Sequence, residues 1–564
     1  MVSKKNNRKH SNRRTKKNSH KNPNKIYSIS PDMIKKYDDL SPFELKDKLM
    51  TLATSPKKPM LNAGRGNPNF FNVFVREVFG RLQLLVMKIT DTKKHLLHDL
   101  DVYPGKDEFN YDKLFRKGVK KWPKRQGDYF IDYMDFIKQK SKEQKKNYNH
   151  MLHDLLMSTI GCFYPVPPQM QPHLNFVSQD FMYDLVMGSS KDGKEEGRKL
   201  KPTDFEFFAT EGAAAGILYV FNTLKENFFL KPGDTIAIIT PIFSPYLEMP
   251  RLADYDLKIV ELKGNPEQNY ALDDEQINKL LDKKVKGLFM VNPSNPGAFS
   301  LPKENIDKIG HLINTKRQDL FVLSDSVYAP FARKYNSFML SCPKNTIEVY
   351  SLSKYFGTTG WRLGLVMMPK ETNLNIMLKK LPANEKKALD KRYSLATIDP
   401  DKLSFMDRLV FDSRQVAEAH VGGLSTPQQV LIGLFLFYHM HDTSRKYQHQ
   451  IQDLLEKRIK VLYEDLKTQP RIVPEATDYY TLLDIPMITE NIYGKEAREK
   501  LVNKYTYLEF MFHLANKYQT VLLPGKGFGT TNNWILRACL ANLPVADYVK
   551  ISKNIASCIH DFVG

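Results

Sequence analysis

Between about Thr210 and Met368 the chain alternates short apolar runs with helical patterns, and this alternation restricts the fold more than any other feature. The runs are Thr235–Thr240, Val285–Asn292, Leu320–Ser326, Thr346–Ser353 and Gly364–Met368. Each is almost continuously apolar, as a strand buried on both faces must be. Strand and helix in repeated succession predict a parallel or mostly parallel sheet covered by helices, an α/β architecture. The helical pattern Ala213–Leu224, which follows a Thr-Glu-Gly turn, fits the same scheme. In such a sheet, ligands bind in the loops at the carboxyl ends of the strands.

With 564 residues the chain exceeds one domain of usual size. We expect a basic tail at 1–30 and an N-terminal segment at 31–90 that packs with a small domain. A helical insertion at 91–160, a large ligand-binding domain at 161–425 and a small α+β domain at 426–564 complete the expected division. Ser41-Pro42-Phe43-Glu44 has the form of a helix start: a capping hydroxyl, a first-turn proline and a capping-box glutamate. The lysine-rich stretch Lys117 to Lys146 is expected to be a solvated helix face. Beyond about 430 the pattern predicts amphipathic helix, then mixed structure through Asp478–Ile485 and Val521–Leu540.

Charge and cysteine usage exclude several classes. The net charge is +21, but the first 30 residues hold ten Lys/Arg and no Asp/Glu, leaving +11 spread over the rest. No aromatic residue is interleaved with the tail's basic residues, so a solvated extension is expected rather than a nucleic-acid arm. Cys162, Cys342, Cys539 and Cys558 form no metal-spaced or disulfide pattern, which suits a reducing cytoplasm and predicts no metal site. The apolar run Val430 to Tyr438 is too short to cross a membrane.

Four expected loops concentrate polar residues. After Val285–Val291 comes Asn292-Pro293-Ser294-Asn295-Pro296-Gly297, where two prolines stiffen the backbone that aims Asn295. After Phe321-Val322-Leu323 comes Asp325, with Tyr328 close behind; a carboxylate ending an apolar strand needs a cation or donors, or serves as a helix cap. After Ile347–Tyr350 comes Ser351-Leu352-Ser353-Lys354, then Trp361-Arg362 and Gly364. A lysine at the end of a buried strand loses hydration and becomes a nucleophilic amine able to form a Schiff base. Ser351, Ser353 and Arg362 around it form an anion cradle. Finally Leu523–Gly529 precedes Arg537, which lies in an expected strand and suits bidentate carboxylate binding.

Asn295, Asp325, Lys354 and Arg537, in that order, together with Ser351-x-Ser-Lys-x-x-Gly-x-x-x-Trp-Arg-x-Gly364, resemble the fold-type I pyridoxal 5′-phosphate enzymes of the aspartate aminotransferase superfamily. The resemblance runs from about residue 40 to the C-terminus. Leu40–Lys46, Asn62–Pro68 and Tyr164-Pro165-Val166-Pro167 look like the branch of aspartate 4-decarboxylases. The resemblance implies a large domain with a mostly parallel sheet between helices and a smaller α+β domain built from both termini. It also implies conversion of L-aspartate to L-alanine and carbon dioxide, with transamination to a 2-oxoacid from a shared intermediate; a plain aspartate aminotransferase is the alternative. Lys354 would carry the cofactor and shuttle protons, and Asp325 would pair with its ring nitrogen. Asn295 and Tyr328 would bond its phenolic oxygen, and Phe243 would stack on its ring. Ser351, Ser353, Arg362 and the helix start at Gly212, Ala213 and Ala214 would hold its phosphate, with Tyr164 reaching over from a neighbouring subunit. Arg537 would clamp the substrate α-carboxylate, and Arg65 and Lys46 the distal one. A homodimer or larger assembly is implied. One departure is Ala213-Ala214-Ala215, where many relatives carry a hydroxyl, so a side-chain donor to the phosphate is missing.

Overall fold

The computed structural model describes residues 26–56, 58–91, 102–165, 168–187, 200–530 and 532–564. The basic tail through Lys25, Val166 and Pro167 therefore lie outside the described residues.

Seven strands form the central sheet: β1 (Phe205–Thr210), β2 (Thr235–Thr240), β3 (Lys258–Lys263), β4 (Val285–Val291), β5 (Phe321–Asp325), β6 (Thr346–Ser351) and β7 (Gly364–Pro369). Their spatial order is β1-β7-β6-β5-β4-β2-β3. Only β7 runs antiparallel to its neighbours β1 and β6; the other pairings are parallel. This is the expected mostly parallel sheet. Alternate residues of β2 and β4 serve two different cores. Ile236, Ile238, Phe289 and Val291 join the main one, while Ala237, Ile239, Leu288 and Met290 pack with Ile306, Ile309 and Ile313 of helix Lys303–Lys316. Both faces are covered, which is why these runs read as continuously apolar.

Two strands carry weaker patterns. β3 is an edge strand whose Lys258 and Lys263 are exposed, so its sequence alternates. β1 pairs only with β7 and sits at the opposite edge.

The C-terminal part contains a three-stranded antiparallel sheet of β8 (Tyr480–Asp484), β9 (Leu523–Pro524) and β10 (Ile535–Cys539), in the order β9-β10-β8. Helices Lys446–Tyr463 and Tyr507–Tyr518 pack on Val545–Val563, and Tyr463 and Tyr548 reach the sheet at Thr481 and at the Cys539 carbonyl. The N-terminal helix Pro42–Ala53, capped by Ser41 Oγ accepting from the Glu44 N–H, lies against Tyr507–Tyr518. Beyond it Leu61–Asn62 pairs in parallel with Thr520–Val521. The latter half of segment 31–90 does otherwise: helix Val73–Thr90 buries Val75, Val78, Leu82 and Val86 against helices Tyr148–Ile160 and Thr426–His441. Helix Thr426–His441 departs from the expected amphipathic pattern. It is buried nearly all round, between Pro172–Met187 and Tyr148–Ile160, and the amphipathic helix is the next one, Lys446–Tyr463.

Candidate active site

The carboxyl ends of β4, β5 and β6 converge on a cavity of about 400 Å³, closed by residues of the N- and C-terminal parts. Lys354 follows β6 by three residues and donates from Nζ to the Gly66 carbonyl at 3.0 Å. Burial lowers its amine to about 8, and the nearby Arg537 and Arg362 cations act in the same direction, against Cys539 and Asp325. Asp325 ends β5. Its Oδ1 accepts the Val327 N–H at 3.1 Å and its Oδ2 accepts the Tyr246 hydroxyl at 3.0 Å. Burial nonetheless raises its carboxyl to about 6, because these donors and Lys354 only partly replace lost water. A carboxyl held in this way favours a cation brought against it.

Asn295, on the loop after β4, links two neighbours. Its Oδ1 accepts from Arg537 Nη1 at 3.1 Å, and its Nδ2 donates to the Tyr328 hydroxyl at 3.4 Å, which meets the Tyr480 hydroxyl at 2.9 Å. Arg537 projects from β10 and is 1% exposed. Its Nη2 donates to the Gly64 carbonyl at 2.9 Å, and its guanidinium lies over the Tyr480 and Phe528 rings at 4.4 and 4.9 Å. Its Nε is buried with no partner in the protein. A fully desolvated fork with a donor to spare is the arrangement that a bound carboxylate would complete.

At the opposite end, the hydroxyls of Ser351 and Ser353 lie 2.9 Å apart. Arg362, with φ of 55°, holds the Thr359 carbonyl through Nη1 at 2.9 Å. Helix Ala213–Glu226 starts here without a side-chain cap, so the N–H groups of its first turn are free for an anion. Gly212, at φ of 83°, has no room for a side chain: a Cβ there would come within 2.7 Å of Arg362 Nη2. Phe243 forms a wall, edge-on to Tyr246 at 5.3 Å and to Phe43 at 5.6 Å.

Lys354, Asp325, Asn295, Tyr328, Phe243, Ser351, Ser353, Arg362, Ala213, Ala214 and Arg537 thus share one cavity, with Gly212 at its rim. Three expected residues stand apart from it. Tyr164 is 62% exposed, Arg65 is exposed, and Lys46 pairs with Asp47 at 3.0 Å. Tyr246, Tyr480 and Thr359, for which no role was expected, also line the cavity, as do Phe43, Gly66 and Asn67 of the two N-terminal motifs. Phe43 and Gly66 carried a signal, since they lie in the two N-terminal motifs. Tyr480, the second of two tyrosines in a short strand, carried none. A separate cleft of about 590 Å³ beside Arg125 and Tyr438 holds none of the expected residues.

An amine of lowered pKa, a buried carboxyl, and two serine hydroxyls beside an arginine and an uncapped helix start thus share one cavity, an arrangement that suits a phosphorylated cofactor bonded to lysine. Residues 200–555 match the family model of class I and II aminotransferases. The chain belongs to that family, whose cofactor is pyridoxal 5′-phosphate. It is 36% identical over 92% of its length, and 95% of the relative's, to a bifunctional aspartate aminotransferase and L-aspartate beta-decarboxylase of a Pseudomonas species. It is 28% identical over 32% of its length, and 45% of the relative's, to an aspartate/prephenate aminotransferase of Thermus thermophilus. In structure it resembles the aspartate aminotransferase of Thermus thermophilus with maleate (TM-score 0.56, 16% identity, 94% of this chain and 100% of the other). It also resembles that of Thermotoga maritima (TM-score 0.52, 14% identity, 94% and 99%).

Proposed function

We propose that the chain catalyses β-decarboxylation of L-aspartate to L-alanine and carbon dioxide, with transamination of aspartate to a 2-oxoacid as its companion reaction. The observation that carries this reading is the extent of the likeness to the bifunctional Pseudomonas enzyme. It covers 92% of the chain, including the N-terminal segment and the helical insertion that the family model does not reach. A plain aspartate aminotransferase is the second reading, favoured by the shorter matches to relatives of that name.

The residues of the cavity fit the cofactor. Lys354 would bond to it, Asp325 would meet its ring nitrogen, and Asn295 and Tyr328 its phenolic oxygen. Phe243 would lie on its ring, and Ser351, Ser353, Arg362 and the first turn at Gly212, Ala213 and Ala214 would take its phosphate. When bound, the cofactor supplies an electron sink for the charge left at carbon. Arg537 orients the substrate by gripping its α-carboxylate with a fork already desolvated. Lys354, as the free amine that burial favours, removes the Cα proton and returns it elsewhere on the same face. Phe43, Phe243 and Tyr480 exclude water, which favours loss of carbon dioxide over hydrolysis.

Lys46, one turn along the helix from Phe43, and Arg65, between the two glycines whose carbonyls hold Arg537 and Lys354, are the candidates for the cation that meets the distal carboxylate. Tyr164 belongs in this reading to the phosphate site of a second copy. The assembly is a homodimer or larger. All four cysteines are free thiols, which suits a cytoplasmic enzyme. Among the described residues no helix is long and apolar enough to cross a membrane, and no group of His, Cys, Asp or Glu is arranged to hold a metal.

The test is a product balance. The full-length protein loaded with pyridoxal phosphate is incubated with labelled aspartate, with and without a 2-oxoacid acceptor, and followed by NMR. Alanine without acceptor, matched by carbon dioxide, is expected. Oxaloacetate appearing only with acceptor would establish the second reading, and no turnover of aspartate would overturn both.

A further inference from the structure

The start of helix Ala213–Glu226 contains an electrostatic conflict. Glu211 immediately precedes Gly212, so its carboxylate stands one residue from the turn that faces Arg362 and the serine pair. A helix N-terminus attracts an anion, but an uncompensated carboxylate beside it repels one. Ala213 and Ala214 offer no side-chain donor to offset that repulsion.

Two side chains, Arg414 and Tyr219, close a ring with this carboxylate. Arg414 Nη2 pairs with Glu211 Oε1, and Arg414 Nη1 donates to the Tyr219 hydroxyl at 2.7 Å. That hydroxyl donates in turn to Glu211 Oε2 at 3.1 Å. The guanidinium also lies 5.4 Å from the centroid of the Tyr219 ring. Glu211 and Tyr219 flank the turn, whereas Arg414 comes from 203 residues further along, just beyond helix Phe405–Asp412. All three are partly buried, so the ion pair is less screened by solvent than a surface pair. Both carboxylate oxygens are satisfied, and every partner comes from outside the cavity.

We infer that Arg414 is a positioning residue for the phosphate end of the site: by neutralising and orienting Glu211 it leaves the Gly212 turn with the positive field that holds a phosphate ester. This rests on the assignment of that turn to the cofactor phosphate. It adds that affinity for the phosphate depends on a residue that never touches it.

The experiment is an equilibrium titration of full-length protein with pyridoxal 5′-phosphate, read by the absorbance of the lysine-bound cofactor. Pyridoxal, which lacks the phosphate, is titrated in parallel. Arg414→Gln leaves an unpaired carboxylate one residue from the turn that would take a doubly charged phosphate, and its dissociation constant for pyridoxal phosphate rises about tenfold. Its affinity for pyridoxal stays as in wild type. In the double variant Arg414→Gln, Glu211→Gln the repelling charge is gone and pyridoxal phosphate affinity returns to within about threefold of wild type. Glu211→Gln alone keeps the arginine, is the mildest change to the fold, and binds pyridoxal phosphate at least as tightly as wild type. If Arg414→Gln binds both ligands like wild type, the inference is wrong. Equal losses for both ligands, or no recovery in the double variant, would reduce Arg414 to a structural prop and also overturn it. Wild-type protein that takes up pyridoxal but gains nothing from the phosphate would instead refute the assignment of the turn.

Discussion

Replacing Asp325 with asparagine should stabilise the cofactor-free protein while removing most of its activity. The carboxyl is 4% exposed and titrates at about 6 instead of 3.8, a shift whose first cause is burial. A folded-state value above the unfolded one means that the folded chain holds the proton more tightly. Stability therefore falls as pH rises from about 4 to 6, and the whole penalty is present at pH 7. Two pKa units correspond to about 3 kcal/mol. Asparagine keeps the shape, can still accept from Val327 and can meet Tyr246, but carries no charge to desolvate. Unfolding entropy of about 2.1 cal/mol/K per residue over 564 residues gives about 1.2 kcal/mol/K, so the melting midpoint should rise by about 2–3 °C. The assay is thermal unfolding of the stripped full-length proteins between pH 4 and 8. The difference should be largest at pH 7, shrink to about half by pH 5, and vanish near pH 4. Loaded with cofactor, the same variant loses a buried charge–charge contact of about 4 kcal/mol, and turnover should fall about 10³-fold. A variant that is no more stable at pH 7, or a difference that does not change with pH, would refute the argument that burial of this charge is a strain relieved by the cofactor.

Two further expectations follow from the same cavity. With the Lys354 amine lowered to about 8, the rate at which stripped protein takes up pyridoxal phosphate should rise about tenfold per pH unit below 8 and level off above it; stopped-flow absorbance that keeps climbing to pH 10 would contradict this. Arg537→Lys keeps the charge but loses the fork that spans Asn295 and Gly64, so kcat/KM for aspartate should fall roughly 100-fold, mostly through KM, in steady-state assays.

What could be read in advance depended on where each residue's surroundings come from. Lys354, Asp325 and Asn295 end strands whose burial is written in their own apolar runs, so a polar residue stands out against its neighbours. The edge strand β3 was missed for the converse reason, since its exposed lysines hide it among loops. Tyr480 and Phe43 show the further limit. Each is an ordinary core aromatic by local pattern and becomes a cavity wall only because chain segments hundreds of residues apart meet there. Arg65 and Lys46 mark the opposite case: their motifs are distinctive, yet in the single chain they do not line the cavity that the adjacent Gly64, Gly66 and Phe43 help to build.

The pairing of Leu61–Asn62 with Thr520–Val521, together with the Gly64 and Gly66 carbonyls on Arg537 and Lys354, has a consequence for biosynthesis. The first of these strands leaves the ribosome more than 450 residues before its partner. At about 5–20 residues per second it must wait roughly half a minute to a minute and a half for Thr520 to be made. During that interval Leu61 and the apolar face of helix Pro42–Ala53 lack the C-terminal elements they pack against, and the seven-stranded sheet is finished with the synthesis of Pro369, well before those elements are made. Catalytic competence is therefore the last thing this chain acquires, and the segment Pro42–Asn62 is the one most in need of protection while it waits.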